Sequence, residues 1–225
     1  MKAPLILTKS NNGTEKLGGV HYCMDHTGKM SGIISLSTSV LCNPICQQRC
    51  REGNSICAHC FAATNMSFRP SMQKPYERNF KILNGGILDD SVIPIISSRY
   101  GRGESFGDYA SANAVINFWK LAKKNPDTQF AMWSKNLRFF AEAIEAGYKK
   151  PKNVQIVYSS PFVNKTAVVP EKYAGFVDKV FTVYDREEAK KVDINCGARS
   201  CLACGRCYRK NPQGVKIQEI REILK

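Results

Sequence analysis

The distribution of cysteine is the feature that most constrains this chain. Ten cysteines occur in 225 residues, and all except Cys23 fall in two segments, 42–60 and 196–207. No cysteine lies between Cys60 and Cys196. Cysteines that only fill a core as small apolar side chains would be scattered along the sequence. The clustering therefore indicates two sites in which several sulfur atoms converge.

The sequence around these segments favours metal binding over disulfide bonds. The N-terminal apolar run, Pro4–Leu7, is too short for a secretory signal. No apolar stretch approaches the length of about 18 residues that a membrane span needs. We therefore expect a cytoplasmic protein with no membrane partner. Cytoplasmic proteins seldom form disulfides, and clustered cysteines in them usually bind metal.

The C-terminal group has the spacing of an iron–sulfur site. Four cysteines lie within twelve residues, separated by four, two and two residues: Cys196, Cys201, Cys204 and Cys207. The first three match the plant-type ferredoxin pattern C-x4-C-x2-C. Zinc sites with four cysteines usually hold two CxxC pairs apart by a longer segment. The spacing predicts a 4Fe-4S cluster, with zinc and structural thiols as alternatives.

The N-terminal group is less regular. Cys57 and Cys60 form a CxxC pair, and Cys46 lies eleven residues before Cys57. We interpret these three as ligands, with a redox CxxC pair as the alternative. Pro44 favours a loop in this segment. A four-cysteine site is closed, whereas a three-cysteine site leaves one metal position for an exogenous ligand. The remaining cysteines are predicted to be structural: Cys23, Cys42 and Cys50.

Strand-like and helix-like segments alternate along the chain. Strands are predicted at 33–38, 91–97, 128–133, 153–158, 180–184 and 192–195. Helices are predicted at 70–84, 111–124, 137–147, 186–191 and 214–224. This alternation favours parallel βα units. The predicted fold class is α/β, a partial (β/α)6-type parallel barrel with a C-terminal cysteine-rich, cluster-binding extension.

The whole chain, 1–225, is predicted to be a single domain. It would consist of a lead-in with one hairpin at 1–30, a barrel-like core at 31–195, and a segment at 196–225 with the second cysteine group and a closing helix. Parallel sheets bind ligands at the carboxyl ends of their strands, so we expect the residues that follow the strands to meet at one edge. No GxGxxG or Walker sequence is present, which argues against a nucleotide phosphate site.

The order of strand, cysteine loop and a βα unit ending in Gly103-Glu104 resembles the radical S-adenosylmethionine (SAM) enzymes. This resemblance implies an open 4Fe-4S cluster that binds SAM, and a substrate that the sequence does not identify. The three cluster ligands would be Cys46, Cys57 and Cys60. The residues implied to contact SAM are Gly103 and Glu104 at its amino group, and Lys135, Ser159 or Ser160 at its carboxylate or ribose. The chain departs from the C-x3-C-x2-C pattern of these enzymes, because ten residues separate Cys46 from Cys57.

A larger part of the chain is similar to the gene product eighty-eight family of phages and mobile elements. The matching stretches span most of residues 40–210: 43–46, 55–62, 76–79, 130–135, 158–161, 178–184 and 195–208. The resemblance implies a protein of the host cytoplasm if a phage encodes it. It also singles out the seven cysteines predicted as metal ligands.

Net charge gives the last constraint. The chain carries 33 Lys and Arg against 19 Asp and Glu, a formal charge of +14. The excess is either a solvated basic surface or a surface for an acidic electron donor or a nucleic acid.

We expect an iron–sulfur protein with two 4Fe-4S clusters, one of them open as in a radical-SAM-like enzyme. The alternatives are a zinc- or cluster-stabilised module that binds nucleic acid or a host protein, and a non-catalytic electron carrier.

Overall fold

The computed structural model describes residues 14–17, 19–24 and 26–224. Its eight strands are β1 (Thr14–Leu17), β2 (Val20–Met24), β3 (Ile34–Leu36), β4 (Tyr100–Gly103), β5 (Gln129–Ser134), β6 (Val154–Ser159), β7 (Lys179–Tyr184) and β8 (Gln218–Ile223). Its six α-helices are α1 (Pro44–Arg51), α2 (Phe61–Phe68), α3 (Pro70–Gly85), α4 (Ala112–Lys124), α5 (Arg138–Glu145) and α6 (Cys201–Cys204).

All eight strands form one sheet and lie in it in the order of the sequence. The first three strands pair antiparallel, so that β1 and β2 form the hairpin predicted for the lead-in, as far as that segment is described. Strands β3 to β8 pair parallel. The winding therefore runs in one direction, without the reversal of a doubly wound sheet. The mixed α/β class is confirmed, but in the described residues the sheet is open and does not close into a barrel.

Alternation along the strands separates two apolar faces. In β5, Phe130 and Met132 point into a core shared with α3, α4 and α5, whereas Ala131 and Trp133 point to the opposite face. The helix-covered face contains most of the buried side chains. Side chains on a strand point alternately to the two faces of a sheet, so successive residues of β5 belong to different apolar clusters.

The second face is covered by the C-terminal cysteine segment, which includes the short helix α6. Tyr208 is buried and stacks on Tyr100 of β4, with ring centroids 4.7 Å apart. Leu202 and Cys207 pack in the same apolar cluster, next to Trp133. The prediction that this segment extends from the core is therefore wrong. The segment packs on the sheet and is part of the core.

The second predicted strand, 91–97, is also wrong. This segment contains a short 3-10 turn and irregular backbone, and the strand is the later Tyr100–Gly103. Asn125, buried directly after α4, accepts from the N–H of Ile96 and donates to the carbonyl of Pro94, and so satisfies backbone groups of this irregular segment. The glycines of β4 suggested a loop. Gly101 instead lies where Phe130 leaves no room for a side chain.

Two predictions near the C-terminus fail as well. Residues 214–224 were predicted as a helix, but Gln218–Ile223 is the sixth parallel strand, β8. Residues 192–195 form no strand. Apolar residues at 217, 220 and 223 have helical spacing, yet the sheet orients β8 so that Ile220 alone is buried. In the described residues, no helix is both long and apolar enough to cross a membrane.

Candidate functional site

Helix α1 positions the first two cysteines of the N-terminal group. Pro44 stands at its start, where proline is tolerated because the first N–H has no partner in the helix. Asn43, fully buried, accepts hydrogen bonds from the N–H groups of Ile45 and Cys46 and donates to the carbonyl of Asp108 at 2.7 Å. The loop predicted from Pro44 is therefore wrong. The helix places Cys46 and Cys50 one turn apart on one side.

Cys50 lies near two of the three cysteines predicted as ligands of the N-terminal group, Cys57 and Cys60. Cys50 is hydrogen-bonded to Cys60, and burial together with the charges of Cys60 and Cys57 raises the pKa of Cys50 to about 11. Burial raises the pKa of Cys46 further, with contributions from the same two cysteines. The Cys60 sulfur also accepts a hydrogen bond from the N–H of Ala63 in α2.

The two other cysteines predicted to be structural lie elsewhere. The thiol of Cys42 donates to the carbonyl of Ser39 and is influenced by Glu77 and Lys81, not by the cysteine group. Cys23 lies in β2 opposite Ser35 of β3. These two residues are therefore natural controls for substitutions in the cysteine groups.

Two buried carboxylates lie beside the N-terminal cysteines. Glu104 directly follows β4 and accepts hydrogen bonds from the N–H of Thr38 at 3.0 Å and from its hydroxyl at 2.9 Å. Asp108 accepts from the hydroxyl of Ser134 and from the N–H of Lys135. Each acid is only 6% exposed. Their charges raise the pKa of Cys46, which places both acids within electrostatic reach of its thiol.

Burial also raises the pKa of Glu104 itself, from its ordinary value to about 8, against the hydrogen bonds from Thr38. An acid with a raised pKa stabilises the fold fully below its ordinary pKa of 4.5, and this contribution disappears as the pH rises through 8. We expect metal-free protein to lose stability over this interval, by up to a few kcal/mol, and Glu104→Gln to weaken the loss. Thermal unfolding measured from pH 5 to 9 tests this, with the exposed Glu145→Gln as control. Equal slopes in all three proteins would disprove the assignment.

The other predicted contact residues have mainly structural partners. Gly103 faces the helix core, where a side chain would collide with Phe118 and Tyr109. Ser160 donates to the carbonyls of Phe162 and Lys165 and so closes its own turn. Ser159 is buried at the end of β6.

The loops that follow β5 and β6 nevertheless contact the segment that carries the N-terminal cysteines. Arg49 of α1 donates to the carbonyl of Lys135 at 2.8 Å, and Lys135 influences the pKa of Cys50. The carbonyl of Pro161 accepts from the N–H of Ile56 at 2.8 Å and from the hydroxyl of Ser55. The carboxyl ends of β3, β4, β5 and β6 therefore meet around the N-terminal group, as the parallel sheet predicts.

The C-terminal group forms a second set of interacting thiols, on the face opposite the helices. The pKa of Cys207 is raised to about 12, chiefly by burial and in part by the other three cysteines of the group. The backbone N–H of Cys201 donates to the carbonyl of Lys29 at 2.8 Å, and that of Cys196 to Arg221 of β8 at 2.9 Å. These bonds fix the first half of the segment to the sheet and to the loop before β3.

Cationic side chains face this second set. Lys29 donates to the Cys196 sulfur at 3.6 Å and forms an ion pair with Glu222 at 2.6 Å. Arg102 of β4 lies over the ring of Trp133 at 4.5 Å and lowers the pKa of Cys207, and its Nε is buried without a hydrogen-bond partner. Strand β4 thus contributes Arg102 to the C-terminal group and is followed by Glu104 at the N-terminal group.

As the side chains stand in the described residues, no three of His, Cys, Asp or Glu are arranged to hold one metal ion. The thiols of each group interact electrostatically with one another but do not converge on a single point. The sequence predicted the seven candidate cysteines and Glu104. The structure adds Cys50, Asp108, Lys29 and Arg102 to the surroundings of the two groups. The sequence signal for Cys50 was Asn43-Pro44 as a helix start, which places Cys50 one turn from Cys46.

Gly205 ends α6 with a left-handed backbone, φ +62°, and packs on the Tyr100 hydroxyl. A side chain there would also meet Arg209 at 2.8 Å. We expect Gly205→Ala to destabilise the protein by at least about 2 kcal/mol, from left-handed backbone strain and overpacking. Gly197→Ala is the matched control, because no atom lies within 4 Å of its added methyl. Urea unfolding measures both, and equal midpoints would contradict the packing described for this segment.

The fold and these groups define an α/β protein with a singly wound, mostly parallel sheet and a cysteine-rich segment across one of its faces. The family model described as Gene product 88 matches residues 5–219, and the chain belongs to that family. Searches of the curated proteins and of the solved structures found no match. The family resemblance seen in the sequence is therefore confirmed, whereas the resemblance to radical SAM enzymes gains no support.

Proposed function

We propose that this protein is an iron–sulfur protein that holds two 4Fe-4S clusters, one in each cysteine group. The observation that carries the proposal is the assembly of two separate sets of four interacting thiols on one sheet, from segments far apart in sequence. Such a cluster, when bound, supplies one-electron transfer.

The donor chemistry of the C-terminal group fits a cluster. A 4Fe-4S cluster with four thiolates carries about two negative charges, and a buried charge needs compensation. Lys29 and Arg102 supply positive charge at this position, partly offset by Glu222. The buried, unpartnered Nε of Arg102 is a donor that an anionic group would satisfy. Cluster binding would need the four sulfurs to be drawn together from their present positions.

The N-terminal group fits a cluster with four protein ligands. Cys46, Cys57 and Cys60 supply three of them, as the sequence predicts, and Cys50 is hydrogen-bonded to Cys60 and supplies the fourth. Closed cysteine sites suit electron transfer or structural support, whereas open sites suit chemistry on a bound ligand. We therefore favour electron transfer between the two sites over SAM chemistry.

The radical-SAM-like enzyme is the competing proposal, and a partial barrel is the fold it would use. The one-directional order of six parallel strands and the place of Glu104 after β4 favour it. Two contacts oppose it. Cys50 lies beside Cys60, one of the three cysteines of the open site, and both carboxylate oxygens of Glu104 already accept hydrogen bonds from Thr38.

Anaerobic purification with iron, sulfide and zinc analysis tests the proposal. We expect about eight iron and eight sulfide per chain. A colourless protein loaded with zinc would overturn it. Addition of SAM to the reduced protein separates the two versions. An unchanged EPR spectrum is expected for closed sites, and a shifted spectrum would establish the open site.

A further inference from the structure

Helix α2 exposes two aromatic side chains that the cluster proposal does not use. Phe61 is 70% exposed and Phe68 is 80% exposed. Their separation of seven positions is close to two helical turns, so both rings lie on one side of α2, about 10 Å apart along its axis. Exposed phenylalanine costs free energy in water, and here two occur on a single eight-residue helix.

The ring of Phe61 packs against a second aromatic side chain on one of its sides. Phe106 packs against Phe61 with ring centroids 6.0 Å apart, and against the buried Tyr76 at 5.6 Å. Phe106 belongs to the same apolar cluster as Cys46 and Cys60. Phe61 is therefore supported on one side and open to solvent on the other, as a stacking platform requires.

The stretch of chain that contains the two rings carries cationic side chains and no acidic ones. No Asp or Glu occurs between Glu52 and Glu77, a stretch that includes all of α2 and the start of α3. Within it Arg69 and Lys74 are exposed. Among the described residues neither forms an ion pair, unlike the exposed Lys190 and Lys191, which pair with neighbouring glutamates.

We propose that this face, Phe61, Phe68, Arg69 and Lys74, binds single-stranded nucleic acid. Aromatic rings stack on unpaired bases without regard to sequence, while cations track the phosphates. Both elements are present, and the net charge of +14 adds long-range attraction to a polyanion. Duplex DNA fits less well, because its bases are already stacked and offer no free face to these rings.

The position of this face gives it a relation to the N-terminal cysteines. Cys60 is the residue directly before α2, and its sulfur caps the helix by accepting from Ala63. A strand bound over Phe61 would thus lie next to the N-terminal group. The inference does not depend on which metal the cysteines bind, because its evidence is the exposed aromatic and cationic side chains.

Binding of fluorescent dT20 and rU20 to the full chain, measured by anisotropy at several salt concentrations, tests the proposal. Phe61→Leu and Phe68→Leu keep an apolar side chain but remove the ring. We expect each to weaken binding about fivefold or more, because stacking contributes roughly 1–3 kcal/mol per base. Arg69→Gln with Lys74→Gln should lower the salt slope by about 1.4, at about 0.7 per phosphate contact on a single strand.

Two controls isolate the face. Tyr148→Leu removes a partly exposed ring elsewhere, and Lys149→Gln with Lys152→Gln removes two exposed cations. We expect both controls to bind as the unchanged protein does. The proposal is overturned if the oligonucleotides do not bind, if the phenylalanine variants bind like the controls, or if a duplex of equal length binds more tightly than dT20 and rU20. Preference for dT20 or for rU20 would identify DNA or RNA as the ligand.

Discussion

Serine substitution at Cys201 and Cys204 is expected to remove about half of the iron, close to four atoms per chain, and to leave the other half in place. Cys57→Ser with Cys60→Ser should remove the complementary half. The reason is that each pair belongs to a different set of interacting thiols, and hydroxyl groups bind iron–sulfur clusters far less well than thiolates do. Iron and sulfide analysis after anaerobic reconstitution measures the loss.

The matched control is Cys23→Ser with Cys42→Ser, the cysteine in β2 and the cysteine whose thiol donates to the Ser39 carbonyl. We expect it to retain all of the iron. Loss of all the iron in either pair variant, with the fold intact by circular dichroism, would mean that the two groups build one site. Equal loss in the control would remove the distinction between ligands and structural cysteines.

Cys50→Ser gives the second large effect. The fourth position of the N-terminal cluster would lose its protein ligand, so we expect the iron bound there to become labile and oxidation in air to give the EPR signal of a three-iron cluster. Cys42→Ser, eight residues earlier in the same segment, should leave the spectrum unchanged because its thiol bonds Ser39 instead. The variant should also gain a response to added SAM or another small ligand if that position is thereby opened.

The opposite result has a clear meaning. If Cys50→Ser keeps its four-iron spectrum and iron content, Cys50 is not a ligand, and the N-terminal site is the open three-cysteine site predicted from the sequence. The contact between Cys50 and Cys60 would then be an ordinary hydrogen bond between neighbouring thiols.

Local sequence pattern was sufficient for strands β5, β6 and β7 but not for β4 or β8. Strands β5, β6 and β7 are largely apolar, as buried parallel strands are, and all three were predicted within one or two residues. Strand β4 was missed because its glycines are needed for contact with side chains of the neighbouring strand and helix. Such contacts are invisible in a single sequence.

The sites show the same division. Spacing was sufficient to group Cys196 to Cys207, because neighbours in sequence are necessarily neighbours in space. The N-terminal group depends on whether residues 44–51 are helical, and Pro44 was interpreted as a helix breaker when it is the first residue of α1. That interpretation leaves out the one-turn separation of Cys46 and Cys50, which supports the proposal that Cys50 is a ligand. Lys29 and Arg102 reach the C-terminal group only through the sheet, from 167 and about 100 residues away in sequence.

The central claim is that each cysteine group holds a 4Fe-4S cluster, and Mössbauer spectroscopy of the protein loaded with iron-57 tests it most directly. The account predicts that nearly all of the iron appears as four-iron clusters, in an amount equal to two per chain. Iron present as isolated ions, or a protein that binds zinc and takes up no iron, would contradict it.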